Sequence, residues 1–238
     1  VGKNITGASV PDATLPTKMQ YGTLNRPRQS WYIDRLAALK VLVQFINDKL
    51  TKTGWQMCAV DGTVAVTEFF TMLTARQFPV ANFIRIPEEL DYLKQPDIFH
   101  ELFGHAPLLM HPAYADFMQW YGEYALTLDH NSQKRLSRAF WFTIEFGLVK
   151  TPAGLRILGG GILSSFQETT FSLASPLPQR HAFQLDHVLD TPYNYKEIQQ
   201  QYFILDNLDA LYELQHDPAL DTLTTRPSPC EQTTFLTC

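Results

Sequence analysis

Two histidines, His100 and His105, lie five residues apart in the apolar segment Asp97-Ile-Phe-His-Glu-Leu-Phe-Gly-His. Neutral imidazoles are the commonest protein ligands of transition metals. A zinc-protease helix carries its two histidines four residues apart, which keeps both on one face, whereas five residues on an ideal helix turn the side chains about 140° apart. We therefore exclude a zinc-protease motif. For both rings to reach one ion, we expect the helix to end near Gly104 and the backbone to turn there.

A carboxylate in an apolar setting completes a candidate metal site. The run from Phe140 to Gly147 is apolar except for Thr143 and Glu145. A buried carboxylate without a partner costs several kcal/mol, a penalty that a bound cation removes. The alternative is that Glu145 pairs with an arginine or caps a neighbouring backbone.

Two histidines and one carboxylate on one side of an ion leave coordination positions open on the other side. This ligand set is typical of non-haem iron(II) sites that activate oxygen. Zinc hydrolases use the same ligand types, so the ligands alone leave the metal open.

Three ordered sequence blocks carry a resemblance to a known family. They are Asp97-Ile-Phe-His-Glu-Leu-Phe-Gly-His-Ala-Pro-Leu108, Phe140-Trp-Phe-Thr-Ile-Glu-Phe-Gly-Leu148 and Gly159-Gly-Gly-Ile-Leu-Ser-Ser-Phe-Gln-Glu168. The chain resembles the pterin-dependent aromatic amino acid hydroxylases from about Thr53 to about Leu208, and most of all their short bacterial members that act on phenylalanine. The resemblance implies a single catalytic domain, mostly α with minor β, that binds iron(II) and tetrahydrobiopterin. It also implies O₂-dependent 4-hydroxylation of L-phenylalanine to L-tyrosine, with tryptophan or tyrosine as the alternative substrate.

The resemblance also implies roles for individual side chains. His100, His105 and Glu145 match the iron ligands. Arg85 matches the residue that holds the substrate carboxylate, which suits the planar fork of a guanidinium. Ser164 matches a group that orients the first metal histidine and helps to bind substrate. The remaining matches are Trp141 in the wall of the amino acid pocket, Pro96 at its edge, Glu101 and Glu168 as acidic groups around the cavity, Phe69 as the ring that stacks on the pterin, and Gly62, Val64 and Val66 as backbone contacts to the pterin.

Each of these side chains also has an ordinary structural explanation. Arg85 could form a surface ion pair, and Ser164 could close a turn. Trp141 and Phe69 could be plain core residues. The stretch 62–66 could be an ordinary loop, and the two glutamates could be surface charges on helices.

The sequence departs from the family pattern at a few points. Tyr195 falls where a smaller apolar residue is expected near the substrate ring, which leaves the substrate less certain. The segment before Thr53 lacks the family's longer helical lead-in, so we expect part of a pocket lid to be missing or rebuilt. The tail shows no heptad pattern, which predicts a monomer or weak dimer.

Two rival functions from other classes stay open. A zinc hydrolase would use the same three ligands with Glu101 as its base, although the five-residue histidine spacing counts against it. A non-catalytic relative would bind an aromatic amino acid or a partner protein, but it would have no need of an open iron site.

Hydrophobic periodicity and turn residues predict the elements around these motifs. We predict an irregular arm over 1–30, a catalytic domain over 31–216 and an irregular tail over 217–238. The predicted helices cover 31–50, 64–76, 112–128, 131–149, 179–189 and 195–212, with an extended segment at 83–86 and a turn and strand within 154–162.

Bulk properties exclude several other classes. The 238 residues carry a net charge of −5, which argues against a nucleic-acid or anionic-membrane partner. No apolar stretch is long enough for a membrane span, and the first 20 residues lack a signal-peptide pattern. Cys58, Cys230 and Cys238 are far apart and odd in number, which predicts isolated thiols and a cytoplasmic location.

Overall fold

The computed structural model describes residues 18–20, 30–61, 63–90 and 95–223. Helices predominate over strands, which confirms the predicted fold class. The α-helices are α1 Ser30–Leu50, α2 Val66–Thr74, α3 Ile98–His100, α4 Pro112–Leu126, α5 His130–Phe140, α6 Gly160–Leu163, α7 Phe166–Ala174, α8 Leu185–Asp190 and α9 Ala210–Glu213. Two further segments, Glu101–His105 and Trp141–Glu145, are π-helical. Short 3₁₀ turns cover Pro87–Glu89, Leu108–Met110, Leu214–His216 and Pro218–Leu223.

The strands form three small sheets. They are β1 Lys18–Gln20, β2 Gln56–Val60, β3 Thr63–Ala65, β4 Gln77–Ala81, β5 Leu148–Thr151, β6 Gly154–Ile157, β7 Gln179–Ala182 and β8 Gln201–Leu205. Strands β1 and β3 pair antiparallel, and β2 and β4 pair parallel. The largest sheet has the order β6-β5-β8-β7, in which β5 and β6 form an antiparallel hairpin and β8 runs parallel to both of its neighbours.

Helix α4 lies at the centre of the main hydrophobic core. Its inward face places Tyr114, Phe117, Met118 and Tyr121 entirely or almost entirely out of solvent. This face follows the three- and four-residue spacing of an amphipathic helix. The helix starts at Pro112, a residue suited to the first helical turn because its missing N–H needs no partner there. Tyr114 of this helix contacts His105, and Tyr121 packs against Phe140 just before the second π-helical segment.

Some predicted boundaries are confirmed, and others are wrong. The helix predicted over 31–50 is α1, and β6 confirms the strand predicted after Gly154. The helix predicted from Val64 begins at Val66, because 63–65 pair with β1 instead. Helix α5 is capped by the Asp129 side chain, which accepts from Ser132 N, and not by 131–132 as the sequence suggested.

Three predicted helices are partly or wholly wrong in the second half of the chain. The helix predicted over 131–149 gives way to a π-helical turn and then to β5. The one predicted over 179–189 is β7 followed by α8, and the one predicted over 195–212 contains β8. Strand β8 is buried on both faces, and a continuous apolar run of this kind has no periodicity that separates strand from helix.

The predicted arm and tail lie mostly outside the described residues. Within the arm, Lys18–Gln20 is a strand. Within the tail, Pro218–Leu223 is a 3₁₀ turn that buries Leu220 and Leu223. Cys230, Cys238 and Gly62 lie outside the described residues, while Cys58 is a free thiol. Within the described parts of the chain, no helix has both the length and the apolar character needed to cross a bilayer.

Candidate metal centre and surrounding pocket

The two π-helical segments carry two of the three candidate ligands. In the first, Ala106 N donates to Glu101 O at 3.1 Å, and in the second Phe146 N donates to Trp141 O at 2.7 Å, both five residues back. An i→i+5 bond places more residues in each turn than an α-helix does, so a five-residue step returns close to the same face. His100 and His105 therefore project to one side, and the π-helical segment ends at His105, in agreement with our expectation that the helix ends near Gly104. The rings come together through the π-helical turn and not through a break in the backbone, because Ala106 and Pro107 keep helical backbone angles.

The three candidate ligands converge on one point. Their donor atoms all lie within 4.8 Å of one another. His100 Nε2 is 2.9 Å from His105 Nε2, and the Glu145 carboxylate is 3.5 Å from the first and 3.4 Å from the second. Ligands bound at about 2.1 Å and at right angles to one another would lie about 3 Å apart. The spacing therefore fits one metal ion held on three adjacent positions.

The electrostatics of the cluster favour the protonation states that bind a cation. Burial lowers the pKa of His100 to about 4, against the opposing pull of Glu145. Burial raises the pKa of Glu145, but His105, His100 and the N–H of Gly161 outweigh it and the net pKa is lowered. Neutral imidazoles and an ionised carboxylate are the forms that act as ligands.

Hydroxyl groups bind the outward-facing nitrogen of each imidazole. Ser164 Oγ is 2.8 Å from His100 Nδ1, where the sequence analysis expects it. Tyr114 Oη is 3.2 Å from His105 Nδ1, a contact that sequence reasoning missed. Partners of this kind fix the orientation and tautomer of a ligand imidazole. An imidazole that binds a metal through Nε2 carries its proton on Nδ1, so with an ion bound each Nδ1–H would donate to its hydroxyl.

Arg85 is buried and held by a carboxylate. Its Nε and one terminal nitrogen donate to the two oxygens of Asp97 at 3.0 and 2.8 Å, and its other terminal nitrogen donates to Ser164 O. The alternative of a surface ion pair does not describe this group, because both side chains are buried. These bonds use three of the five N–H groups of a guanidinium.

Asp97 is a second residue that sequence reasoning missed. Besides Arg85, its carboxylate accepts from His100 N at 2.9 Å and caps α3. It therefore ties the arginine to the segment that carries the first ligand. An aspartate just before an apolar helical start is a capping signal, and that signal was readable in the sequence.

The two predicted acidic groups are not surface charges. Glu101 is 2% exposed, and burial together with the charges of Glu145 and Asp97 raises its pKa well above the usual value. Glu168 is fully buried; its Oε1 accepts from Tyr202 Oη at 2.5 Å and from Gln199 N at 3.1 Å. Its Oε2 is buried with no hydrogen-bond partner among the described residues.

Trp141 is the first residue of the second π-helical segment, four residues before Glu145. Its ring stacks on Tyr193 at 4.2 Å, with an angle of 11° between the ring planes, and its Nε1 donates to Gln199 Oε1 at 3.0 Å. Tyr193 is therefore the tyrosine that lies against the tryptophan. Tyr195, which the sequence analysis singled out, is 41% exposed. Pro96 is half-buried, next to Asp97.

Three of the predicted pterin contacts, Val64, Val66 and Phe69, lie on β3 and α2. Val64 is buried and Val66 is half-buried. Phe69 is 2% exposed, with its ring edge-on to Phe140 at 5.9 Å. Phe69 thus packs in the main core, and a stacking role stays a prediction.

Comparison with known proteins agrees with this geometry. Residues 20–218 match the biopterin-dependent aromatic amino acid hydroxylase family, and the chain belongs to that family. It is 48% identical over 171 residues to the phenylalanine-4-hydroxylase of Caulobacter vibrioides, a match that covers 71% of this chain and 58% of that enzyme. The chain therefore spans less than two thirds of the length of this curated relative.

Solved structures of relatives share the fold. The apo phenylalanine hydroxylase of Colwellia psychrerythraea is 38% identical, with a TM-score of 0.72 over 83% of this chain and 78% of that one. The phenylalanine hydroxylase of Chromobacterium violaceum with bound iron(III) and oxidised cofactor 7,8-dihydrobiopterin is 38% identical. Its TM-score is 0.72 over 84% of this chain and 76% of that one.

Proposed function

We propose that the chain is a phenylalanine 4-monooxygenase that uses iron(II), tetrahydrobiopterin and O₂ to convert L-phenylalanine to L-tyrosine. The observation that carries this proposal is the convergence of His100, His105 and Glu145 on one point. Family membership and phenylalanine hydroxylases among the relatives and solved structures support it.

We propose iron(II) as the metal held by these three residues. Their spacing fits one ion, and two imidazoles with one carboxylate leave the opposite side open for O₂ and substrate. The bound iron and tetrahydropterin supply the activation of O₂ and the hydroxylation of the ring.

The protein's own residues bind and orient the substrate. Arg85 is fixed by Asp97 and keeps two N–H groups for the carboxylate of the amino acid. Ser164 contacts both His100 and Arg85, so it connects the metal side of the pocket with the carboxylate side. Trp141, held by Tyr193 and Gln199, forms an aromatic wall for the substrate ring.

We propose that the remaining predicted residues shape the pterin side of the cavity. The backbone at Gly62, Val64 and Val66 and the ring of Phe69 would contact the pterin, and Glu101 and Glu168 would contribute acidic groups. Both glutamates are buried and their pKa values are raised. This supports the proposal, because carboxyl groups with a shifted pKa cluster at functional sites.

The proposal is tested by reconstituting the metal-free protein with iron(II) and tetrahydrobiopterin. Phenylalanine, tryptophan and tyrosine are supplied separately, and O₂ uptake, pterin oxidation and product are measured together. We expect tyrosine from phenylalanine, coupled to pterin oxidation and absent with zinc. A hydroxylated product only from tryptophan or tyrosine would change the substrate. The absence of any pterin-coupled product would contradict the proposal, and zinc-supported hydrolysis would favour the rival hydrolase.

The cytoplasmic location and the monomeric or weakly dimeric state stay predictions from the sequence. Sedimentation of the metal-loaded protein would test the second. A stable tetramer would contradict it.

A further inference from the structure

The second ligand imidazole, His105, lies in a closely fitted slot. Its ring is fully buried, with the ring of Phe78 5.0 Å away between centroids. On another side lies Gly160, where an added Cβ would come within 2.6 Å of His105 Cε1. These contacts leave the ring little freedom to tilt, and they make glycine necessary at position 160.

Shape alone does not determine which edge of the ring faces the metal. An imidazole turned by 180° about its Cβ–Cγ bond occupies nearly the same space, but it places carbon Cε1 where Nε2 had been. The two tautomers of the neutral ring have the same shape as well, and only a hydrogen bond distinguishes them. The slot therefore needs a polar group to specify the ligand nitrogen.

Tyr114 supplies such a group. It is the third residue of α4 and is fully buried, with its hydroxyl 3.2 Å from His105 Nδ1. Within the described parts of the chain, this is the one hydrogen bond of that hydroxyl. A buried tyrosine hydroxyl usually has a partner, and a phenylalanine would fill the same space without one. The hydroxyl therefore acts on His105 and not on packing.

We propose that Tyr114 is a positioning residue of the metal centre, whose hydroxyl accepts the Nδ1–H of His105 and so presents an unprotonated Nε2 to the ion. The inference rests on the proposed function, because it requires that His100, His105 and Glu145 hold a metal. Tyr114 would do for His105 what Ser164 does for His100, where the corresponding contact is 2.8 Å.

Tyr114→Phe tests this inference with cobalt(II) as the probe. The metal-free variant is titrated with cobalt(II), and the dissociation constant and the visible spectrum of the loaded protein are recorded. We expect about 10- to 100-fold weaker binding, the usual effect of removing a hydrogen-bond partner of a metal ligand. We also expect a shift of the cobalt bands, which a purely structural role would leave unchanged.

Tyr124→Phe is the matched control. Tyr124 lies on the same helix, and its hydroxyl donates to Leu220 O at 3.1 Å, away from the metal cluster. Its removal also deletes one side-chain hydrogen bond, so both variants should melt at similarly lowered temperatures without metal. Cobalt affinity and spectrum should stay at the wild-type values in this control.

The outcomes separate this inference from the proposed function. Wild-type protein that binds cobalt, together with a Tyr114→Phe variant of equal affinity and spectrum, would overturn the inference alone. Wild-type protein that binds no cobalt or iron would overturn both. If the variant cannot be purified, zinc-loaded wild type provides the test by NMR. It should show a slowly exchanging His105 Hδ1 proton close to the Tyr114 ring, and a proton on Nε2 instead would overturn the inference.

Discussion

Two carboxylates in apolar surroundings, Glu145 and Glu168, differ in what faces them. Glu145 meets two imidazoles and the N–H of Gly161, and its pKa is lowered although burial alone would raise it. Glu168 meets the hydroxyl of Tyr202 and one backbone N–H, and burial raises its pKa. Burial makes an ionised carboxylate costly in both places. The partners decide that one is suited to hold a cation, while the other joins α7 to β8 and to the residue Gln199 before it.

The largest expected effect comes from replacing the carboxylate on the metal side. Glu145→Gln keeps the shape but removes the charge, so we expect iron(II) or cobalt(II) to bind about a hundredfold or more weakly. Equilibrium dialysis with metal analysis measures this. Glu168→Gln is the control and should bind metal as the wild type does. Equal metal loss in both variants would remove the distinction between the two carboxylates.

A third buried carboxylate, Asp97, extends the comparison, because its partner is Arg85. Arg85→Lys keeps a positive charge but loses the two parallel bonds to Asp97, so we expect phenylalanine affinity to fall by about tenfold or more. Metal stoichiometry should not change. Isothermal titration of the metal-loaded protein with phenylalanine measures the loss. The control is Arg135→Lys, which affects a partly exposed pair with Asp190. Unchanged phenylalanine affinity in Arg85→Lys would show that Arg85 does not anchor the substrate.

Gln199 connects Glu168 with Trp141, and its replacement tests how much this connection contributes to stability. Its side chain accepts from Trp141 Nε1 and donates to the carbonyls of Asn194 and Glu197. We expect Gln199→Leu to lower the free energy of unfolding by about 1–3 kcal/mol, because buried polar groups lose their partners. It should also raise the KM for phenylalanine more than it changes metal affinity. Denaturant unfolding and steady-state kinetics measure the two effects.

The neighbouring Gln200 provides the control for that experiment. Gln200 is exposed, and its side chain donates to the nearby carbonyl of Ile198 at 3.1 Å. Gln200→Leu should change the free energy of unfolding by less than about 0.5 kcal/mol. Equal destabilisation by both variants would mean that the contact with Trp141 contributes nothing specific.

The smallest effect concerns the pH dependence that Glu168 confers. Because its pKa is raised on folding, the native state holds a proton that the unfolded chain releases above about pH 4.3. The stability that this group contributes is therefore present at low pH and is lost as the pH rises through the folded pKa, by at most about 1.4 kcal/mol per pH unit. The glutamine in Glu168→Gln does not titrate. The free energy of unfolding of this variant relative to wild type should therefore increase with pH between the unfolded and the folded pKa of Glu168. If the free energies of unfolding of wild type and Glu168→Gln changed in parallel with pH, this prediction would be wrong.

The sequence predicted the cluster of His100, His105 and Glu145 better than it predicted the backbone that presents these side chains. Glu145 was recognisable because a charge in an apolar run needs a partner, and α1 was recognisable from its periodicity. The π-helical turns at 101–105 and 141–145 were not recognisable, because an extra residue per turn leaves no signature in a hydrophobic pattern. The contact between Tyr114 and His105 was hidden for another reason. It joins two segments through tertiary packing, and Tyr114 reads as an ordinary inward-facing residue of an amphipathic helix.

The sheet was the least predictable part of the fold. The residues of β8 gave the same apolar run that a buried helix would give, and only pairing with β5 and β7 settles its conformation. The paired residues lie 22 positions away in β7 (Gln179 with Gln201) and 56 positions away in β5 (Leu148 with Ile204), and no local pattern reports such pairing. The wrong assignment of β8 affects the surroundings of Glu168, because Tyr202 of this strand donates a hydrogen bond to the Glu168 carboxylate.

The most direct test is a crystal structure of the iron-loaded protein with anomalous diffraction recorded at the iron absorption edge. The account predicts one peak about 2.0 to 2.2 Å from His100 Nε2, His105 Nε2 and a Glu145 oxygen, with the opposite side facing the pocket. A peak elsewhere, or none at this cluster in fully loaded protein, would contradict it.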